Sequence, residues 1–381
     1  MRTFGVEEEL LLVDERTGAP MAVAPQALAA AEADDARARN GAEEPGPQLS
    51  AEIHQEMIET QTRPVTSTDE LLTDIVAGRE RADRLARTLG ARAVAVGMSP
   101  LPVQPHPTQK DRYDEMMRRY GATAQTTLVC GCHVHVGIES REEGVAILDR
   151  IRTWLPLLLA LSANSPFAGG GDTGYASFRF LAWHQWQSAG PTDVFGSVEE
   201  YDRFERLLVD TEVIMDYGMV YLDARLSHKQ PTIEVRIADV CLDARDAVVL
   251  AAIVRALVDT AAADWHAGER PSDLPAAALR LAGWQAALTG VHGRLPHPQH
   301  GAGADITDAL DALVVHIRRA LEANGDAALV HDGLARIVAS GGGAGRQRAA
   351  FAVRGSLEDV VQAAVDATHE LSPSGDDLPV S

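Results

Sequence analysis

The stretch FGVEEELLLVD, residues 4–14, sets three consecutive glutamates inside a run that otherwise reads as a buried strand. Carboxylates are seldom buried unless they are paired or bound to a metal. A strand sends alternate side chains to opposite faces. Glu7 and Glu9 therefore share one face, while Glu8 falls on the other with Val6, Leu10 and Leu12. Two carboxylates at i and i+2, roughly 6–7 Å apart along the strand, suit a hard divalent cation, which prefers oxygen ligands.

Two further segments alternate in the same way. In TTLVCGCHVHVGI (126–138), Val129, Gly131, His133, His135 and Gly137 share a face. Leu128, Cys130, Cys132, Val134, Val136 and Ile138 form the opposite, core-facing side. The CGCHVH run suggests a thiolate–imidazole zinc site, but its cysteines and histidines point in opposite directions, so the cysteines read as small core residues. The two histidines stand as candidate ligands. In PTIEVRIADV (231–240), Ile233, Val235 and Ile237 face the core and Thr232, Glu234 and Arg236 face away, a pattern that an ordinary solvated strand also shows. A third acidic set, Glu52, Glu56 and Glu59, fits one helical stripe. It fits equally a strand in which Glu59 joins its neighbours through a bulge. Carboxylates gathered with histidine and arginine suit a metal-bound polyphosphate, because Mg²⁺ keeps few protein ligands and leans on substrate phosphates.

The rest of the chain supplies mostly helices. In 66–90, Ser67 and Glu70 make a capping box, apolar residues recur at helical spacing and Gly90 closes the run. Helices are also expected at 110–120 (stopped by Gly121), 141–163, 197–214, 243–266, 305–323 and 356–369, and a strand at 92–98. The stretches 32–48 and 285–305 read as loops, FAGGGDTG (167–174) as a glycine-rich loop, and the tail from about 371 as frayed. No internal repeat and no sharp compositional boundary divides the 381 residues, although the length alone allows two or three domains.

With 34 Lys and Arg against 55 Asp and Glu, the formal charge is −21. That balance argues against a nucleic-acid partner and against an anionic membrane surface. The hydrophobic fraction of 46% is enough for a large core. Three cysteines imply no disulfide framework and fit a reducing compartment. The longest apolar run, LPLLLALSA (155–163), is far short of the roughly 20 residues of a membrane span. No basic region precedes a hydrophobic stretch at the start, so a cytoplasmic location is expected. The Gly-Lys-Ser/Thr ending of a phosphate-binding loop is missing from AGGGDTG, and no Gly-x-Ser-x-Gly nucleophile elbow occurs.

Seven segments, FGVEEELLLVD, EIHQEMIETQT, HPTQKDRYDEMMRRYG, CHVHVGI, DTGYASFR, PTIEVRIAD and GAGRQR, resemble in content and order the bacterial carboxylate–amine ligases of the type-2 glutamate–cysteine ligase family, over about residues 4–365. The resemblance implies a single α+β catalytic domain of glutamine-synthetase-like fold. In that fold a curved antiparallel sheet forms a funnel with helices packed on its outer face. It implies metal ligands Glu7, Glu9, Glu52, Glu59, His133 and Glu234, and so a strand with an irregularity at 52–59. His133 would also meet the nucleotide. Arg236 and Arg179 resemble arginines that meet phosphate or substrate carboxylate, Arg225 of DARLS stands where the family usually has Asp-Ile-Arg-Pro-Ser and is counted with the catalytic arginines, and Arg346 and Arg348 resemble residues at the mouth of the site.

The implied cofactors are ATP and Mg²⁺, with Mn²⁺ a possible substitute, and the implied partners are a small amino acid and an amine. A homodimer is the base-rate expectation. The implied reaction phosphorylates the side-chain carboxylate of glutamate, and the amine of cysteine then displaces phosphate. One departure stands out. Relatives commonly read Trp-Arg-Ala-Ala-Arg where this chain has WQAAL (284–288), so Gln285 and Leu288 replace two arginines. A same-fold ligase or kinase for another acid, amine or phosphoryl acceptor is therefore the alternative, followed by a metal-dependent amide hydrolase and a non-catalytic nucleotide-binding relative.

Overall fold

The computed structural model describes residues 1–40 and 46–372. Its organising element is β1 (Phe4–Asp14). The other strands of the main sheet are β2 (Gln48–Ala51), β3 (Met57–Gln61), β4 (Ala91–Val94) and β5 (Gly131–Gly137), and then, past two short strands, β8 (Ala224–Leu226) and β9 (Thr232–Asp239). The short pairs are β6 (Phe167–Ala168) with β7 (Gly171–Asp172), and β10 (Arg294–Pro296) with β11 (Gly303–Asp305). The main sheet runs β2-β3-β1-β5-β9-β8 with β4 also on β1. Every ladder in it is antiparallel. Along one edge β1 pairs β5 through Phe4–Glu8 and then β4 through Leu11–Asp14, while β3 lines its other edge. At 11 residues it is long enough to hold three neighbours at once.

Fourteen α-helices and one short 3-10 helix (Tyr217–Met219) occur among the described residues. In chain order the α-helices are α1 (Ala24–Asn40), α2 (Thr68–Arg87), α3 (Asp111–Tyr120), α4 (Ala122–Thr126), α5 (Arg141–Ile151), α6 (Leu155–Ser162) and α7 (Phe178–Trp183). There follow α8 (Val198–Asp210), α9 (Ala244–His266), α10 (Ala276–Thr289), α11 (Ile306–Asn324), α12 (Ala327–Ser340), α13 (Gly342–Arg354) and α14 (Leu357–Thr368). The core forms where the apolar face of the sheet, Val6, Cys132, Val134, Val136, Ile233 and Val235, meets α2, α5, α6 and α9. Fifteen residues of α9 are buried, as expected of an alanine- and valine-rich helix with little polar surface. Burying one aliphatic side chain contributes about 1.5–3 kcal/mol, so this layer is the chief source of stability. Among the described residues no helix is long and apolar enough to cross a membrane.

The sequence patterns mark the ordered core well and the polar segments less well. Ser67 caps α2, accepting from Asp69 N at 3.2 Å. The expected loop at 32–48 is α1 up to Asn40, and residues 41–45 lie outside the described residues. Its eight alanines favour helix even though its charged residues mask any periodicity. The acidic stretch 50–62 is neither one helix nor one bulged strand: β2 and β3 pair across a short connection that carries Glu52. The helix expected at 141–163 breaks at 152–154, just before Pro156 opens α6. The strand expected from 126 begins at Gly131, because 122–126 are helical.

Residues 285–289 close α10, and only β10 and β11 interrupt the loop that follows. Helices α12 and α13 had no counterpart in the sequence reading. Gly341 and Gly342, both with positive φ, turn the chain between them. Gly343, in the first turn of α13, lies against Asn164, where a Cβ would not fit. The frayed tail expected from about 371 falls on residues 373–381, outside the described residues.

Candidate active site

The strand register alone assembles an acidic row across the polar face of the sheet. Glu9 stands opposite Glu59 on β3, and Glu7 opposite His133 on β5. His135 stands opposite Glu234 on β9, and Glu234 opposite Arg225 on β8. Residues opposed on one face lie close enough for side chains to meet. His133 Nδ1 is 3.5 Å from Glu7, and its Nε2 is 4.0 Å from Glu9. Two sets of ligand atoms, Glu7–His133–Glu234 and Glu9–Glu59–His133, each fall within 4.8 Å of one another. One imidazole is thus common to two carboxylate pairs.

The electrostatics of the row split in two. Burial works to raise the Glu7 carboxyl, but His133 and His135 outweigh it and hold the group far below the usual range. Glu234 is likewise held low against its burial by Arg236 and Arg225. Arg225 donates to Glu234 at 2.8 and 3.2 Å and to Val220 O at 2.9 Å, and Arg236 donates to the same carboxylate. Glu52 and Glu59 go the other way. Burial raises Glu59, and the negative charge of Glu7 adds to it. Burial also raises Glu52 well above its ordinary value, with Glu59 and Glu9 adding their repulsion. Like charges crowded in a buried site disfavour ionisation until a cation offsets them. The donor set, carboxylates with one or two imidazoles, is the chemistry of a divalent-cation site. Glu52 lies beside this cluster but belongs to neither ligand set.

The remaining expected residues are placed as follows. Arg179, on α7, is 2% exposed and lies against Gly131, where a Cβ would stand 2.2 Å from its Nη2. Gly131 N in turn donates to Glu9 at 2.5 Å. Arg346 and Arg348 sit on α13 and are engaged elsewhere. Arg346 pairs with Asp243 at 3.4 Å, and Arg348 pairs with Asp172 at 2.7 and 3.1 Å. Neither has a contact with the acidic row among these interactions.

Beside the row stand His135, one of the two candidate histidines, and two groups with no counterpart among the expected residues, Tyr221 and Asp239. His135 Nδ1 meets Thr232 Oγ1 at 2.9 Å while its Nε2 points to Glu7 at 3.6 Å, so it braces a ligand as well as resembling one. Tyr221 lies near Glu52 and Arg236, and burial pushes its hydroxyl up to about 12 although Arg112 and Arg236 pull it down. Asp239 is the clearest miss, since strict alternation assigns it to the core side with Ile237. Between Cys132 and Val134 the β5–β9 ladder shifts by one residue, so that Gly131 stands opposite Asp239 and Cys132 opposite Ala238. This β-bulge turns Asp239 to the side of Gly131 and Arg179. No local sequence signal marks it.

An antiparallel sheet backed by helices thus carries an acidic, arginine-flanked row on its open face. Comparison with known proteins supplies the family. The profile described as glutamate–cysteine ligase family 2 matches residues 3–363, and the chain belongs to that family. A Paenarthrobacter aurescens protein is 46% identical over 376 residues, covering 99% of this chain and 97% of its own. A Streptomyces coelicolor protein is 46% identical over 368 residues, covering 97% of this chain and 99% of its own. Both carry the name glutamate–cysteine ligase 2 as a provisional assignment.

Among solved structures, a glutamate–cysteine ligase from Francisella tularensis in complex with AMP superposes with a TM-score of 0.71 at 11% identity, over 100% of this chain and 90% of that one. A bifunctional glutathione synthetase from Pasteurella multocida gives 0.67 at 17% identity, over 97% of this chain and 52% of that one. The fold is thus the α+β, glutamine-synthetase-like one that the motifs implied.

Proposed function

We propose that the chain, as one catalytic domain, joins a carboxylic acid to an amine at the expense of ATP. The nominal pair is L-glutamate and L-cysteine, giving γ-glutamylcysteine, ADP and phosphate through an acyl phosphate. The observation that carries this reading is the pair of ligand sets sharing His133, flanked by buried arginines. Glu7, Glu9, Glu59, His133 and Glu234, with Glu52 beside them, would hold Mg²⁺ or Mn²⁺, which when bound offsets the polyphosphate charge and polarises the transferred phosphoryl group.

The chain's own residues do the rest. Arg225 and Arg236 keep Glu234 ionised, and Glu234 retains a lone pair beyond the three hydrogen bonds it accepts. Arg179 receives an anionic oxygen of a substrate beside Glu9. Phosphorylation gives the carboxylate a leaving group, and the neutral amine then attacks the acyl carbon as phosphate departs.

The test is phosphate release from ATP with Mg²⁺ over a panel of acids and amines, with hydroxylamine as a trap. Glutamate should yield a hydroxamate whatever the natural amine, because hydroxylamine captures the acyl phosphate. Absence of both hydroxamate and stimulated phosphate release across the panel would sink the ligase reading. One feature supports a different substrate pair within the same class. Gln285 and Leu288 stand on α10, where Trp284 meets Tyr175 edge-on at 6.1 Å between ring centres, beside the segment that leads to Arg179. Stimulation by a pair other than glutamate and cysteine would keep the class and change the substrate.

A further inference from the structure

Arg79 and Arg179 are both almost wholly buried, yet only one of them is satisfied. Arg79 meets Glu8 through two hydrogen bonds of 2.7 and 2.8 Å and three backbone carbonyls besides. Arg179 has one side-chain hydrogen bond, to Ile237 O at 3.4 Å, and a carboxylate, Asp239, at 3.8 Å. Its Nε is buried without a partner. A guanidinium left so short of acceptors is costly unless something else completes it. The carboxylate that should close on it is held back. Asp239 accepts from Asn164 N at 2.9 Å, Ser165 Oγ at 2.7 Å and Ser177 Oγ at 2.8 Å. Ser165 Oγ also accepts from Arg179 N at 2.9 Å, which fixes the start of α7 to the same network.

We infer that Asp239 is a positioning residue: with Ser165 and Ser177 it holds the Arg179 guanidinium over Gly131 without consuming it, leaving it to receive an anionic oxygen. That oxygen belongs either to a carboxylate of the acid substrate or to a phosphoryl group of the nucleotide. The inference rests on the ligase reading for the identity of the anion but not for the geometry. Asp239 supplies the opposite charge that keeps a buried arginine in place, and the two serines prevent collapse into a closed pair. The bulge in the β5–β9 ladder is what turns Asp239 to this task.

The test is calorimetric titration of wild-type protein, Asp239→Asn, Ser177→Ala and Ser177→Thr, with Mg²⁺ throughout. Glutamate is one arm and a non-hydrolysable ATP analogue the other. Asp239→Asn should weaken one of the two anions about ten- to a hundredfold and raise its KM equally, with Mg²⁺ affinity unchanged. The affected arm identifies the source of the oxygen. Ser177→Ala should weaken the same anion about threefold, and Ser177→Thr should restore it. If Asp239→Asn does not fold, the serine pair carries the test by itself. Unchanged affinity for both anions alongside a lowered melting temperature would make the network merely structural and overturn the inference. Equal loss of both anions together with Mg²⁺, or no binding of either anion by the wild type, would overturn it too. Wild-type protein that binds the anion through this network but forms no hydroxamate would refute the ligase reading alone.

Discussion

Behind strand β1, Glu8 meets Arg79 in a two-pronged ion pair, each side chain 1% exposed, and every arm of the arginine has an acceptor. In front of the same strand, Glu7 and Glu9 face histidines at 3.5–4.0 Å and further carboxylates, with no pair closed. The two faces are built from adjacent residues of one strand, so local sequence preference cannot account for the difference. The rear pair is closed as folded, whereas Glu7 and Glu9 on the front have no closed ion pair, and the proposed function gives them a cation to hold. Structural and functional acids are therefore told apart by whether their partners are already in place, more than by how deeply they are buried.

The sharpest way to break this comparison is to neutralise each face in turn. Glu7→Gln should lower ATP-dependent turnover about a thousandfold or more, with a smaller loss of melting temperature than Glu8→Gln, as measured by phosphate release and thermal unfolding. Glu8→Gln should do the reverse. Leaving Arg79 buried without its counter-charge should cost about 3–5 kcal/mol of unfolding free energy in denaturant titration, while the remaining folded enzyme keeps its turnover and its Mg²⁺ affinity. Loss of metal binding in a well-folded Glu8→Gln variant would show that the division between the faces is wrong.

A smaller effect should appear in pH dependence. For Glu52 and Glu59 the folded protein holds the proton more tightly than the unfolded chain, whose carboxyls titrate near the ordinary 4.5. The stability they contribute is complete below that value and is lost as pH rises through their raised folded values. Glu7 and Glu234 shift downwards, so their contribution changes only below 4.5. Chelator-treated protein should therefore lose melting temperature as pH rises above 4.5. Mg²⁺ should restore it at the upper end, by about 2.7 kcal/mol at a hundredfold excess over its Kd. No restoration by Mg²⁺ would remove the metal from the account of the front face.

The smallest effect is expected away from both faces. Arg348→Ala breaks a half-exposed pair with Asp172, worth under about 1 kcal/mol, and Mg²⁺ affinity should not move. A large loss of Mg²⁺ affinity there would extend the site to α13.

Much of this protein could be read along the chain. The alternation of FGVEEELLLVD separates Glu8 from Glu7 and Glu9, and the alternation of GCHVHVG separates the cysteines from the histidines. Both separations hold in the fold, because side-chain direction in a strand is set by the backbone itself. The amphipathic helix α2 was legible for a similar reason, since a face repeated every 3.6 residues shows in the residue order, and α9 was legible from its long alanine-rich run.

Other features were decided only when distant segments met. The polar, alanine-rich α1 and the glycine-initiated α13 take shape from what they pack against, which local pattern does not carry. Glu52 and Glu59 become close neighbours of Glu9 only because β2 and β3 fold into a hairpin beside β1. Asp239 changes faces because one extra residue enters the ladder between β5 and β9, a property of the pair of strands and of neither strand alone. The sequence by itself determined which residue types point together along each strand. The tertiary structure decided which strands share a register, and with it which charges are closed into pairs and which are not.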